Sequence, residues 1–162
     1  MTSSDEVYRA SPVNAALLQG ELLSNVIEVQ RKLDTLGAVD VQVDEVTHPL
    51  AIIVTQDCDL DLDYKARAQN GAVHRLIPNV LLCDVQGRQE INTSGSVVGS
   101  QAWNNVRINQ NERYHILPAV PPEVALLEDR FNDILVLDFR RFFTIPTAEI
   151  YRRVELGEAI RR

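Results

Sequence analysis

Residues 49–55 read Pro-Leu-Ala-Ile-Ile-Val-Thr, and this stretch decides the predicted fold. Most of its residues are β-branched or apolar at successive positions, which is the pattern of a strand covered on both faces. Upstream, Gly20 provides a corner before residues 21–29, where we predict a first strand. The apolar spacing over residues 14–32 also fits a helix, and this alternative stays open. The alternating valines over residues 39–43 predict a hairpin arm with one solvent-exposed face.

Downstream of this strand, short apolar runs alternate with turn signals. Residues 56–75 predict a surface excursion that ends in an Asn70-Gly71 turn. A helix is predicted over residues 147–155, because Pro146 precedes them and Ile150 and Val154 stand four residues apart. Further strands are predicted at residues 76–85, 113–118 and 134–139.

Six or seven short strands with few helices predict a mainly β (α+β) fold. We expect a small SH3-like, half-closed β-barrel with one or two short helices. Residues 1–12 are polar and end at a proline, which predicts a flexible arm. Residues 13–162 are then expected to form a single β-barrel domain with a C-terminal helix, since a chain of this length can bury about two-thirds of its unfolded surface in one core.

The composition is typical of a globular chain without a membrane segment. Of the 162 residues, 45% are apolar and 24% are charged, which excludes global disorder and low-complexity chains. The apolar runs are far shorter than the roughly 20 residues of a spanning helix. The N-terminus carries acidic charge and no apolar core of a secretory signal, so we expect a cytoplasmic protein. Cys58 and Cys83 lack the spacing of a zinc finger and are predicted to be reduced thiols.

The charge is unevenly distributed along the chain. The sequence has 16 basic and 23 acidic side chains, a formal charge of −7, which argues against attraction of nucleic acid or a membrane to the whole surface. Residues 1–90 hold 14 acidic and 7 basic side chains, whereas residues 91–162 hold nine of each. We therefore expect the two halves either to neutralise each other in the fold or to serve two different partners.

Four aspartates alternate with other residues directly after the predicted central strand. They are Asp57, Asp59, Asp61 and Asp63. In a continuing strand their carboxylates would point to one side and repel one another unless a cation neutralised them. A bound divalent metal is the sharper hypothesis, and a solvated acidic turn is the alternative. An EF-hand loop is excluded, since its sixth and twelfth places would hold Leu62 and Ala68. Asp63-Tyr64-Lys65 also fits half of a metal-dependent nuclease motif, and no other cofactor is predicted.

Cys58 is the candidate nucleophile. A thiol needs a histidine or a helix N-terminus to become an effective thiolate, and the flanking carboxylates of Asp57 and Asp59 disfavour that form. His115, which lies in an apolar strand, could supply the base, with one of the two aspartates orienting it in a hydrolase triad. The alternatives are that Cys58 is a small apolar residue at a strand end and that His115 is a hydrogen-bonded core histidine.

Arginine supplies almost all of the positive charge, with 14 Arg and 2 Lys in the chain. Three arginine pairs stand near aromatic residues, namely Arg140-Arg141, Arg152-Arg153 and Arg161-Arg162, and the first two are the candidate binding residues. Such pairs can bind the acidic face of a protein partner, or a second copy in a homo-oligomer, and they can also dock on the acidic turn of the same chain. Contact between this arginine-rich C-terminal part and nucleic acid is the second interpretation.

The first half of the chain resembles the PemK/MazF-like toxin barrels of bacteria. The resemblance covers residues 19–90, and its main motif is His48-Pro-Leu-Ala-Ile-Ile-Val-Thr55, which follows a Gly20-Glu21-Leu22 strand. In those endoribonucleases an Arg precedes the Pro and stabilises the scissile phosphate with a Thr or Ser. Here His48 occupies the Arg position and is a weaker donor. The resemblance therefore implies a non-catalytic or weakly catalytic interaction module of a toxin–antitoxin or defence-type system.

A second resemblance is to uncharacterised bacterial proteins and implies no activity. Its motifs are Thr55-Gln-Asp-Cys-Asp59, Arg113-Tyr-His-Ile-Leu-Pro118 and Asp138-Phe-Arg-Arg-Phe-Phe-Thr-Ile-Pro146. Members of that group continue past the position of Arg162, so we expect a short or truncated form. The competing hypothesis for function is an enzyme, either a hydrolase centred on Cys58 or a metal-dependent nuclease, using His115 and the carboxylates of residues 57–63.

Overall fold

The structure, a computed structural model, describes residues 11–32, 37, 39–69, 73–93, 100–117 and 134–161. Its strands are β1 (Leu22–Arg31), β2 (Val43–Ile53), β3 (Asn79–Gly87), β4 (Tyr114–Leu117), β5 (Leu135–Pro146) and β6 (Ile160–Arg161). Its α-helices are α1 (Asp57–Ala68), α2 (Arg88–Thr93), α3 (Ser100–Arg107) and α4 (Thr147–Glu155). A short 3₁₀-helix covers Val73–Arg75.

The strands form one antiparallel sheet in the order β4-β5-β3-β2-β1-β6. Five of them are long enough to shape the sheet, and β6 adds two residues to its edge. Over the described residues β4 and β6 are the two edges, so the sheet is open and is not closed into a barrel. The predicted mainly β (α+β) class is confirmed, whereas the expected half-closed SH3-like β-barrel is corrected to an open sheet, because β4 and β6 do not pair with each other over the residues described.

Both faces of the sheet carry apolar side chains. On one face, helices α1 and α4 contribute Leu60, Ile150 and Val154 to a core that includes Leu82 and Phe143 of the sheet. The opposite face buries a second cluster, formed by Leu22, Leu50, Ile52, Cys83, Val85, Leu135 and Leu137. A third cluster joins α2 and α3 to the outer strands through Ile91, Val106, Tyr114 and Val136. These three clusters explain why the strands read as apolar on successive positions.

The strongest local patterns gave the right elements. The apolar stretch at 49–55 is the buried end of β2, where Leu50–Ile53 lie in the core. β1 confirms the strand over the competing helix at residues 14–32. The predicted helix at residues 147–155 is confirmed as α4. The structure contains three more α-helices than the one predicted from a clear pattern. Residues 1–10 of the expected arm lie outside the described residues.

Residues 56–75 are a correction, because most of the expected irregular excursion is the helix α1. The first turn of α1 carries Asp57 and Asp59 and the last turn Lys65 and Arg67, an arrangement that complements the helix dipole. Arg67 pairs with Asp63 four residues earlier in the helix. The alternation of Asp with other residues suggested the two-residue repeat of a strand. The buried residues Leu60, Asp63 and Ala66 instead lie three positions apart, which is close to one turn of a helix.

Arg161, in the last strand, contacts the segment that precedes β1. Its guanidinium forms a fully buried ion pair with Glu21, and each side chain is 1% exposed. The same guanidinium donates hydrogen bonds of 2.7, 2.8 and 2.7 Å to the carbonyls of Pro12, Ala15 and Ala16. Removal of either charge would leave the other buried without a partner, which typically costs about 3–5 kcal/mol. This interaction anchors the segment before β1 to the edge of the sheet.

In the hairpin of β1 and β2, the side chains switch from one face of the sheet to the other halfway along the strands. Leu50 lies in the second core cluster, whereas His48, two residues earlier, stacks on Phe143 of the opposite face. Residues two apart in a regular strand share a face, so the strand must turn over between them. Opposite this point, Asn25 of β1 has a left-handed backbone with φ of 57°. The outer half of the hairpin therefore directs His48 toward the face that carries α1 and α4.

We predict that the conformation of Asn25 sets this change of face. Asn tolerates positive φ, whereas a β-branched side chain there costs about 1–2 kcal/mol. Asn25→Val should therefore lower the free energy of unfolding in urea by about that amount, while Asn25→Gly, the matched control, should leave it nearly unchanged. Equal stability of the two variants would contradict the prediction.

Candidate functional site

A cleft of about 440 Å³ opens between the outer half of the β1–β2 hairpin and the strands β3 and β5. Its chemistry comes from residues on four different strands. They are Glu28 of β1, His48 of β2, Asp84 of β3, and Arg141, Phe142 and Phe143 of β5. The cleft therefore combines an acidic floor with a cationic and aromatic rim, and it is the candidate functional site.

A large bulge in β5 creates the rim of the cleft. Cys83 of β3 pairs with Phe142, but Val85 pairs with Leu137, so residues 138–141 all lie opposite the single residue Asp84. A bulge of this kind bends the strand and redirects its side chains, and bulges are common next to functional sites. The strand leaves the bulge with Phe142 and Phe143 pointing to opposite faces of the sheet, the first exposed and the second buried.

The buried carboxylate of Asp138 holds the bulge in place. It accepts hydrogen bonds from Arg113 Nε at 2.8 Å and Nη2 at 2.6 Å, and from the backbone N–H of Arg140 at 3.1 Å. Burial alone would raise the pKa of Asp138, but the hydrogen bonds from Arg113 and Arg140 outweigh it, so the pKa is lowered. The carboxylate is thus charged and fully partnered at neutral pH.

His48 lies between two carboxylates at the base of the cleft. Its Nδ1 is 3.3 Å from Asp84 Oδ1 and its Nε2 is 3.3 Å from Glu28 Oε2. The imidazole also stacks on Phe143, with ring centroids 3.7 Å apart and planes 8° from parallel. Burial lowers the pKa of His48, but the hydrogen bonds and charges of Asp84 and Glu28 outweigh burial, and the net shift is upward.

Asp84 connects His48 to the bulge. Its second oxygen, Oδ2, accepts a hydrogen bond of 2.7 Å from Arg141 Nη1. The Asp84 carboxylate is nearly buried, whereas the Arg141 side chain is 54% exposed and can reach solvent or a partner. One carboxylate therefore positions both a histidine and an arginine beside the cleft.

Two phenylalanines project from the bulge into solvent. Phe139 is 41% exposed and Phe142 is 45% exposed. Their ring centroids are 6.1 Å apart with planes 14° from parallel, so they form an offset pair. We call the four residues Phe139, Arg140, Arg141 and Phe142 the bulge surface. It joins two exposed aromatic rings to two exposed guanidinium groups.

Sequence reasoning proposed Cys58 and His115 as catalytic partners, and the structure places them on different elements. Cys58 is exposed in the first turn of α1, where its Sγ is 3.7 Å from Gln56 Oε1 and 4.0 Å from Asp59 Oδ1. His115 lies in β4 with its ring tilted against Phe139 at 6.1 Å. No hydrogen bond joins Cys58 to a histidine among the described residues.

The four aspartates of the predicted metal site lie on a helix rather than on the expected strand. Asp57 accepts a hydrogen bond from the backbone N–H of Gln19, and Asp61 pairs with Lys65 at 2.6 Å. Asp63 is buried and is satisfied by Arg67 and by the backbone N–H of Ile77. The one-sided arrangement of the four carboxylates is therefore wrong. Within the described ranges no group of three or more such side chains is placed to hold a metal ion.

The two predicted arginine pairs occupy different environments. Arg140 and Arg141 belong to the bulge surface. Arg152 and Arg153 of α4 instead bind Glu149 of the same helix, at 2.8 and 2.6 Å, and their hydrogen bonds lower the pKa of Glu149 to about 2. Arg153 also donates a hydrogen bond of 2.9 Å to the carbonyl of Ile27 in β1. Both guanidinium groups of the second pair are therefore engaged within the fold, whereas in the first pair only Arg141 forms an ion pair among the described residues, with Asp84.

Sequence reasoning missed Glu28, His48 and Asp84 as members of a site. In the sequence, His48 stands out as the counterpart of a family arginine and not as the partner of two carboxylates. The signal in the sequence was Asp84, which places a charged side chain inside the apolar run of β3. Its partners lie 36 and 57 residues away along the chain, so nothing local identified them.

Comparison of the chain with models of protein families, with curated proteins and with solved structures finds no match. Among the residues that the structure describes, no helix is both long and apolar enough to cross a bilayer. The site must therefore be interpreted from its own chemistry.

We predict that the two cysteines differ sharply in reactivity. Burial first, and then the charges of Asp84 and Asp138, raise the pKa of the Cys83 thiol to about 12. A thiol-specific reagent at neutral pH should modify Cys58 in the folded protein and reach Cys83 only after denaturation. Cys58→Ser should abolish the native reaction and Cys83→Ser should preserve it, as read by mass spectrometry.

The same measurement tests the hypothesis of a catalytic thiol. Alkylation of Cys58 at about the rate of a free cysteine near neutral pH would contradict an activated nucleophile. A much faster, pH-dependent reaction would support one.

Proposed function

We propose that this chain is a protein-interaction module that uses the bulge surface to bind an acidic and partly apolar segment of a partner protein. The observation that carries the proposal is the pair of stacked, exposed phenylalanines on a structurally imposed bulge, each followed or preceded by an exposed arginine. Of the predicted arginine pairs, the proposal keeps Arg140 and Arg141 and leaves out Arg152 and Arg153.

The aromatic rings supply the apolar part of the binding surface. Exposed aromatic side chains gain free energy when they are covered, and phenylalanine and arginine are enriched in protein interfaces. Phenylalanine has few rotatable side-chain bonds, so little conformational freedom is lost when Phe139 and Phe142 are covered. A partner that covers both rings would bury them together with the adjacent side chain of His115, which already contacts Phe139.

The guanidinium groups indicate the charge of the partner. Arg140 has no side-chain hydrogen bond or ion pair within the part of the chain that the structure describes. Arg141 is held by Asp84 through one nitrogen only. Both groups can therefore pair with carboxylates of a partner, which favours an acidic segment and faster association.

Nucleic acid could also stack on aromatic rings and pair with arginines, but the adjoining cleft disfavours it. Glu28, Asp84 and Glu90 line that cleft directly below Arg141. A phosphate backbone that followed the surface would meet three carboxylates for one exposed guanidinium. A carboxylate-bearing peptide that touches only the rim avoids this repulsion, and for this reason we favour a protein partner.

The resemblance to PemK/MazF-like proteins supplies the biological setting of the proposal. We infer a non-catalytic or weakly catalytic module of a bacterial toxin–antitoxin or defence-type system. The engagement of both nitrogens of His48 by carboxylates supports this inference, since neither nitrogen is free to contact a phosphate. An antitoxin-like protein or a second copy of the chain would then be the partner.

We predict that substitutions on the bulge surface abolish partner binding without unfolding the protein. Partners captured from a bacterial lysate would be identified by mass spectrometry, purified and titrated by calorimetry. Phe139→Ala with Phe142→Ala should weaken binding by about thirtyfold or more, because interface hot spots are worth about 2 kcal/mol or more. Arg140→Glu with Arg141→Glu should do the same by charge reversal.

The matched control reverses two exposed arginines elsewhere, Arg75→Glu with Arg107→Glu, and should leave the affinity unchanged apart from a small loss of long-range attraction. Equal affinity of the wild type and both bulge variants would refute the proposal. Tight, salt-dependent binding of single-stranded RNA by the wild type, lost in the bulge variants, would assign the surface to nucleic acid instead.

A further inference from the structure

We propose that His48 is a one-proton clamp, which fastens the outer half of the β1–β2 hairpin to β3 and β5 while it is protonated and releases the hairpin when the proton leaves. This inference concerns the fold around the cleft. It stands whether or not the bulge surface binds a partner.

The clamp follows from the number of donors on an imidazole ring. Each ring nitrogen of His48 faces a carboxylate oxygen at 3.3 Å, one from Glu28 and one from Asp84. Carboxylates only accept hydrogen bonds, and a neutral imidazole has a single N–H. Only the imidazolium can donate to both, so the neutral ring would turn a lone pair toward one carboxylate. The observed arrangement is therefore that of the charged form.

The clamp joins elements that have few other connections. β2 pairs with β3 only at Ala51, Ile52 and Ile53, so the outer half of the hairpin has no backbone ladder to β3 over the described residues. The side chain of His48 bridges this gap by contacting Asp84 of β3 and stacking on Phe143 of β5. The hydrogen bond from Arg153 to the carbonyl of Ile27 fixes the inner end of this half of the hairpin. The segment beyond Ile27 is therefore the part that the clamp controls.

The charges around the cleft favour the protonated form of His48. Glu28, Asp84 and Glu90 line the cleft from β1, β3 and α2, and the facing cations are His48 and Arg141. The other polar side chains that line it near His48 are the neutral amides of Gln30 and Gln86 and the hydroxyl of Thr47. Loss of the His48 proton removes the positive charge that lies between Glu28 and Asp84. Repulsion between β1 and β3 then adds to the loss of a hydrogen bond.

The direction of the pH dependence follows by linkage. The pKa of His48 is raised in the folded protein, since Asp84 and Glu28 outweigh burial. The stabilisation is then fully present below the unfolded value of about 6.5 and is lost as the pH rises through the higher folded value. The hairpin should therefore be held while the pH is below the folded pKa of His48 and loosen as the pH rises above it.

The test measures hydrogen exchange and the protonation of His48 in the same protein. Imidazole ¹⁵N shifts should show His48 doubly protonated at pH about 6. Amide protection, corrected for intrinsic exchange, should fall about tenfold in residues 28–31 and 43–48 between pH about 6 and about 9, while β3 keeps its protection.

Two variants isolate the clamp. His48→Gln should remove the pH dependence. Glu28→Gln replaces an acceptor with an amide that can donate to the neutral ring, so protection should persist at high pH and His48 should titrate lower. His74→Gln, at an exposed histidine of the 3₁₀-helix, is the matched control and should behave like the wild type.

Three results would overturn the proposal. They are a single neutral tautomer of His48 at pH about 6, wild-type protection that does not change with pH, and a pH response in Glu28→Gln that equals the wild type. The wild-type spectra decide the question even if His48→Gln does not fold. None of these measurements uses the partner, so failure of the clamp and failure of the proposed function are distinguishable.

Discussion

The bidentate ion pair between Asp138 and Arg113 is the interaction on which the rest of the site depends. It fixes the point at which the register between β5 and β3 is interrupted, at the residue of β5 that pairs with Tyr114 of β4. Because residues 138–141 are accommodated opposite one residue, Phe139 and its neighbours are pushed into solvent and Asp84 is left facing the cleft. A small change in this buried pair would therefore move the aromatic rim and the acidic floor together.

The site combines two surfaces with different chemistry on adjacent strands. The rim offers rigid aromatic rings and guanidinium groups, whereas the cleft below holds carboxylates that are already satisfied by His48, Arg141 and a glutamine. A satisfied polar network specifies a geometry rather than a ligand. We therefore assign recognition to the rim and positioning to the network, and the two roles meet at the side chain of Arg141.

The elements with strong local patterns could be predicted from the sequence, and those that depend on distant contacts could not. β2 and α4 have continuous apolar runs or helical spacing with a flanking proline, so short-range rules were sufficient. α1 was missed because its alternating aspartates imitate a strand, and only the burial of Leu60 and Asp63 against other elements selects the helix. The network around His48 depends on the left-handed backbone of Asn25, which hydrophobic periodicity does not encode.

Over the described part of the chain, the predicted neutralisation between an acidic and an arginine-rich half is found in two ion pairs. Asp84 pairs with Arg141 and Glu21 pairs with Arg161, so each of these contacts joins the two halves. Most other ion pairs are local, for example Asp63 with Arg67 within α1 and Glu149 with Arg152 within α4. Charge counts along the chain thus indicated that the halves meet, but the positions of the contacts came from the fold.

The anchoring of the segment before β1 by Arg161 has a consequence for biosynthesis. Glu21 and Arg161 are 140 residues apart in the chain. While the ribosome is still making the intervening residues, the Glu21 carboxylate has no guanidinium partner and β1 lacks the strand that covers its outer edge. An uncovered edge strand can pair with other chains. The nascent protein therefore exposes the outer backbone edge of Leu23 and Ser24 from early in translation until residue 161 emerges, which is an interval in which a chaperone could protect it.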